Sequence, residues 1–75
     1  MPRLPRVTAA EARRAIMRDG WYLARTRGSH EMYEHQIKPG LVTIPVHAGE
    51  TLAPKTIRSI ITQAGLSVAQ FIELL

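Results

Sequence analysis

Apolar positions recur at helical spacing, then alternate, then return to helical spacing along this 75-residue chain. Residues 1–7 hold Pro2 and Pro5 and follow no period, so they read as extended. Thr8-Ala-Ala-Glu11 is a capping box, with Thr8 at the N-cap and Glu11 three positions on. Val7 is placed to staple the helix start against Ala12. Ala9, Ala12, Ile16 and Ala15 line one face, while Arg13, Arg14, Arg18 and Asp19 lie elsewhere on the cylinder. Gly20 suits the left-handed position that ends a helix. The spacing predicts a helix over 9–19.

Three short strand-like runs follow. Trp21 to Arg27 is rich in aromatic and β-compatible residues. Strict alternation would put Trp21, Leu23 and Arg25 on one face, and Tyr22, Ala24 and Thr26 on the other. Gly28-Ser29 marks a turn or bulge. His30 to Gln36 reads as a second strand, with His30, Met32 and Glu34 opposite Glu31, Tyr33 and His35. Lys38-Pro39-Gly40 fits a type II turn. Leu41 to Ile44 is a third strand closed by Pro45. Close spacing makes the three an antiparallel meander.

Residues 46–53 form a loop with His47 and Gly49. Pro54 suits a first helical position. Ile57, Ile60, Ile61 and Ala64 repeat at helical spacing until Gly65, with Leu66 placed for the contact that accompanies such a cap. Ser67-x-x-Gln70 is a second capping box, and Val68, Phe71, Ile72 and Leu75 form an amphipathic stripe. The pattern predicts a single α+β domain over residues 1–75. It has two layers: a three-stranded antiparallel sheet with helices on one face, in the order α-β-β-β-α plus a short C-terminal helix.

Composition narrows the function. The chain has no cysteine, so neither a disulfide nor a thiolate metal site is available. No apolar run approaches the roughly 18 residues of a membrane span. The charged, proline-containing N-terminus lacks the apolar core of a secretory signal, and a cytoplasmic location is the expectation. Ten Lys and Arg against six Asp and Glu give +4, and seven of the ten basic residues precede position 28. That balance favours a polyanionic partner. A chain this short has no room for a dinucleotide-binding fold, a kinase or a large closed substrate pocket.

Candidate chemistry concentrates in Gly28-Ser29-His30-Glu31-Met32-Tyr33 and Pro45-Val46-His47-Ala48-Gly49. A histidine directly after a glycine turn is a proton-transfer group at a place where backbone can approach a ligand. Histidines in strands are also commonly structural. Arg25 and Arg27 share a face beside His30 and are candidates for phosphate neutralisation, with Ser29 in the turn and Lys55 at a helix N-terminus. His47 has two readings: a loop histidine that fixes its turn, or a second acid/base group. His35, near the Lys38 turn, is expected to be solvated. Trp21 reads as core. His30 and His35 are five residues apart, so their rings leave a regular strand on opposite faces and do not share a cation. No carboxylate pair clusters near either, and neither a metal nor a cofactor is expected.

Taken together, these residues resemble the HicA, or YcfA-like, family of small toxins. The similarity lies in Gly20-Trp21, in Arg25-Thr-Arg27-Gly28-Ser29-His30 with Tyr33, in Thr43-Ile-Pro-Val-His47-Ala-Gly-Glu50, in Ile57-Arg58-x-Ile60 and in Gln63-Ala-Gly65-Leu66. It covers essentially the whole chain. The resemblance implies a fold similar to the double-stranded RNA-binding domain, activity as a ribosome-independent mRNA interferase, and neutralisation by a HicB-type antitoxin. It also implies that His30 is catalytic. The expected reaction is metal-independent cleavage through His30 acting as acid or base, with Arg25, Arg27, Ser29 and Lys55 against the RNA. Glu31, directly after the histidine, departs from many members; a carboxylate there would raise the histidine pKa or repel phosphate. The alternative function is a non-catalytic RNA-binding module on the same scaffold.

Overall fold

The computed structural model describes residues 2–75. The elements are α1 (Ala9–Arg18), β1 (Tyr22–Arg27), β2 (His30–Glu34), β3 (Val42–Pro45), α2 (Pro54–Gln63) and α3 (Val68–Leu74). The strands form one antiparallel sheet in the order β1-β2-β3. The α+β class and the element order agree with the hydrophobic pattern.

Local chemistry explains most boundaries. Thr8 and Glu11 satisfy each other's backbone N–H groups at the start of α1, and Ser67 and Gln70 do the same for α3. Both long helices end in the same motif. The Gly20 and Trp21 N–H groups donate to Met17 and Ile16 carbonyls, and those of Gly65 and Leu66 donate to Thr62 and Ile61. Gly20 takes φ +102°, and a Cβ there would lie 2.7 Å from His35 Nε2. Both the backbone angle and the close approach therefore require glycine.

The helices cover β2 and β3 from one side. Trp21, Tyr33, Phe71, Ile16, Ile44, Ile57, Ile60 and Val42 are buried between the layers. Each contributes on the order of 1.5–3 kcal/mol by leaving water. β1 extends past this cover, and all six of its residues are exposed. The C-terminal helix packs through Phe71, with Val68 and Leu74 against the core. Ile72 and Leu75, expected in that stripe, are instead exposed. Arg18 Nη1 ties α1 to α3 by donating to the Leu74 carbonyl at 2.6 Å.

Two expectations about strands need correction. β1 is not regular: its register against β2 slips between Leu23 and Arg25. This bulge puts Leu23 opposite Tyr33, on the helix side, and Arg25 opposite Met32, on the other side, so Leu23 and Arg25 do not share a face. β2 ends at Glu34 rather than Gln36. The reason is His35, which leaves the ladder to bond elsewhere.

Candidate active site

The β1–β2 hairpin sets the position of His30. Arg27 and His30 are Cα partners across a two-residue turn, Gly28-Ser29. Gly28 has φ +58° and Ser29 does not have a positive φ. Glycine at the first of two turn residues is the type II′ pattern, whose twist matches the flanking strands. The turn therefore delivers His30 as the first residue of β2, next to the tip of the hairpin.

The register builds the site's face. Residues paired in an antiparallel ladder share a side of the sheet. His30 pairs with Arg27 on β1 and Pro45 on β3, and Met32 pairs with Arg25 and Thr43. Tyr33, Val42 and Ile44 are buried under the helices. Alternation therefore turns Arg25, Arg27, His30, Met32, Thr43 and Pro45 to the side without helices. Arg25, Arg27 and His30 are exposed there. Arg25 lies along Met32, with Nε 3.1 Å from its sulfur. Its guanidinium keeps its other donors for a ligand, and Arg27 beside it adds a second positive charge.

Glu31 does not do what its position in the sequence suggests. Its carboxylate leaves β2 on the helix side, away from His30. There Oε1 accepts the Tyr33 hydroxyl at 2.6 Å, and Oε2 lies 3.5 Å from Arg13 Nη1. Burial pushes the Tyr33 phenol pKa up, and the bond to the Glu31 carboxylate adds to this. The influence expected on His30 is thus replaced by a role inside the two-layer junction. On the open face the carboxylate is Glu34, at the other end of β2, 3.5 Å from the Tyr22 hydroxyl.

The three histidines have different fates. His35 Nε2 lies 2.7 Å from the Asp19 carbonyl, and Nδ1 accepts the N–H groups of Ile37 and Lys38 at 3.0 and 3.1 Å. Those bonds require the proton on Nε2. The ring meets Trp21 edge-on at 5.1 Å. His35 is structural rather than solvated, because it joins the end of α1 to the 36–40 loop. Beside it, Lys38 Nζ bonds Asp19 Oδ2 at 2.5 Å and the Ala64 carbonyl at 2.9 Å, joining the ends of α1 and α2. Among the described residues, only His35 of the three imidazoles has its nitrogens taken within the chain.

His47 is exposed and opens a turn closed by the Glu50 N–H donating to its carbonyl. The Val46 N–H donates to the Ser29 carbonyl at 2.7 Å, which fastens this loop to the hairpin turn. Ser29 thereby acts through its backbone, with its side chain exposed. His47 is two residues beyond Pro45, the partner of His30, so the two histidines lie on adjoining segments. His47 lines a cleft of about 400 Å³ with Thr8, Ala9, Arg13, Glu31 and Ala48. His30 does not line that cleft.

Lys55 is exposed in the first turn of α2, within the helical layer. It does not join Arg25 and Arg27 on the open face. The N-cap of α2, Ala53, has no side chain to cap the first N–H groups, and Pro54 removes one of those donors. The residues that sequence reasoning missed are Arg13 and the Glu31–Tyr33 pair. The i, i+2 spacing of Glu31 and Tyr33 on one strand face was the available signal. Pairing with Arg13 depended on how α1 crosses the sheet.

The geometry agrees with a comparison made at the level of families. Residues 9–66 match the family described as HicA toxin of bacterial toxin-antitoxin. That match begins with α1 and ends at Leu66, so α3 lies beyond it. No curated protein matches the chain. None of the helices among the described residues is long and apolar enough to cross a membrane. With the family match running from the first helix through the second, and the Gly-Ser-His hairpin inside it, the chain belongs to the HicA toxin family of bacterial toxin–antitoxin systems, whose members act opposite an antitoxin partner.

Proposed function

We propose that this toxin is a ribosome-independent mRNA interferase that cuts RNA through His30, without a metal, and that a HicB-type antitoxin neutralises it. One observation carries the reading: His30 is exposed with no side-chain hydrogen-bond partner among the described residues, on an open sheet face, in register with Arg27 and beside Arg25. A general acid or base needs such freedom, because a ring already bonded on both nitrogens has no position for substrate.

RNA supplies its own nucleophile. In the proposed step the ribose 2′-oxygen attacks the adjacent phosphorus and the bond from phosphorus to the 5′-oxygen breaks. His30 accepts the 2′-hydroxyl proton or donates one to the leaving 5′-oxygen. The arginines neutralise the charge that builds on the phosphoryl oxygens. One imidazole does not fill both roles in a single step; His47, on the adjoining loop, is the candidate for the second. Ser29 is assigned to the edge of the RNA path, and Lys55, in the helical layer, to a peripheral position that adds little to binding. The family membership supports an antitoxin partner, and a cytoplasmic mRNA target completes the proposal.

The test uses short RNAs with the purified toxin. Cleavage should persist in excess EDTA, and the 5′ fragment should end in a 2′,3′-cyclic phosphate. A substrate with one 2′-deoxynucleotide on the 5′ side of the scissile bond should bind and resist cutting. Cutting of that substrate at the same bond would mean that water attacks instead. Binding of RNA with no cleavage by any preparation would favour a non-catalytic RNA-binding module.

A further inference from the structure

We propose that Tyr22 is a base-stacking platform: an unpaired base of the single-stranded RNA lies on its ring, while the RNA backbone runs along the open sheet face to Arg25, Arg27 and His30. The inference rests on the reading of this toxin as an RNA-cutting enzyme and adds a binding subsite to it. The register puts Tyr22 on that face. It pairs with Glu34, which alternation along β2 places on the same side as Met32 and His30. The Tyr22 hydroxyl lies 3.5 Å from Glu34 Oε1, so both side chains leave the sheet on one side.

The bulge in β1 is what brings this ring to the arginines. Strict alternation would separate Tyr22, an even position, from Arg25 and Arg27, and turn it to the other side of the sheet. The register slip between Leu23 and Arg25 restores it to their face. Bulges commonly re-aim a side chain beside an active site. The ring is also accessible. Tyr22 is 46% exposed, whereas Trp21, Tyr33 and Phe71 are buried in the core. Of the four aromatic side chains, it alone can meet a base. Its hydroxyl reaches towards the neighbouring strand, so the ring leans over the sheet instead of standing clear of it.

The charge along the face decides which part of the RNA meets which residue. At the hairpin end, Arg25 and Arg27 attract phosphate next to His30. At the other end, the Glu34 carboxylate stands beside Tyr22 and repels phosphate. A base is uncharged and has a flat π face, so it suits the Tyr22 end where the backbone does not. Met32 and Thr43 lie between the two ends, both partly buried, and leave the path along the sheet open. A rise of about 3.4 Å per residue puts Tyr22 at most about 17 Å from Arg27 along the strand, a span that an extended RNA covers in a few nucleotides. Cationic side chains combined with an aromatic ring hold single strands through features common to every base.

The experiment separates this proposal from the cleavage mechanism. It measures binding by a His30→Ala toxin of two single-stranded RNAs of equal length, one with bases and one built of abasic riboses, with the folding of each variant checked by circular dichroism. Adding Tyr22→Ala should weaken binding of the base-bearing RNA about tenfold, the size of one lost stacking contact. It should leave the abasic RNA unaffected and the salt slope unchanged, because no phosphate contact is lost. Tyr22→Phe, which keeps the ring and removes the hydroxyl, should bind both RNAs as its parent does. An equal loss on both RNAs, or the same loss in Tyr22→Phe, would overturn the platform, since the effect would then lie in charge or in the Glu34 contact. Unchanged RNA affinity in Tyr22→Ala would overturn it too, and weaker antitoxin binding by that variant would give the ring to the protein partner instead. A base-dependent loss in a toxin that cuts no RNA would retain the platform and defeat the nuclease reading.

Discussion

The two ends of β2 hold chemically similar residues put to opposite uses. At the C-terminal end, His35 has both ring nitrogens bonded, meets Trp21 and stands next to a lysine tied to two helix ends. At the N-terminal end, His30 stands in solvent beside two arginines. Residue type does not separate the bonded histidine from the exposed one here. What separates them is the supply of backbone groups. Past Glu34 the chain leaves the sheet, and an unpaired carbonyl and two N–H groups become available to a ring. At the hairpin tip the ladder already satisfies the backbone, so His30 is left free.

Breaking the His35 end should have the largest effect on stability. His35→Ala leaves the Ile37 and Lys38 N–H groups without their acceptor, and should cost about 2 kcal/mol. For a domain of this size that is a fall of roughly 10 °C in Tm, read by thermal melting. Gly20→Ala should act in the same direction, by about 1–3 kcal/mol, because the added Cβ meets the His35 ring and the backbone angle is strained. A melting temperature unchanged by both variants would remove the contrast between the two ends.

A second prediction sharpens the His30 end. Arg25→Gln with Arg27→Gln should make the log–log salt dependence of single-stranded RNA binding shallower by about 1.4, or 0.7 for each phosphate contact. Lys55→Gln should change it little, since Lys55 lies in the helical layer. The reverse result would move the RNA path to the α2 side.

Titration gives two smaller effects. The Tyr33 pKa is raised in the folded protein, so the unfolded chain releases this proton first as pH rises. Stability should therefore decline above about pH 10, the ordinary phenol value, and Tyr33→Phe should remove that decline in urea melts. Glu11 is held below its ordinary value, first by the Thr8 backbone N–H and then by the Thr8 hydroxyl. Its contribution is present above the unfolded value of 4.5 and is lost as pH falls through the lowered one. Glu11→Gln should flatten stability in that acidic range, by a small amount because the side chain is exposed.

Much of the fold was legible because its boundaries are local. Thr8, Gly20, Gly65 and Ser67 each act within a few residues of themselves, and all four did what their types require. The hairpin turn and the placing of Arg27 beside His30 followed from Gly28-Ser29 between two strand-like runs. Three features were not legible because they depend on distant partners. The bulge beyond Leu23 turns Arg25 to the open face through the register of β1 against β2, which β1 alone does not reveal. His35 needed the Asp19 carbonyl, which α1 supplies. Glu31 is adjacent to His30 in the chain yet on the other side of the sheet, so its role was set by Arg13 rather than by its neighbour.

The central claim is that the free imidazole at the hairpin tip does the chemistry while the bonded one holds the fold. The most direct measurement compares His30→Ala with the wild-type toxin, by cleavage of a short RNA and by thermal melting of the same samples. The account predicts a loss of cleavage of about 10²–10⁴-fold, with stability unchanged within about 0.5 kcal/mol. A folded His30→Ala toxin that cuts RNA at the wild-type rate would contradict it.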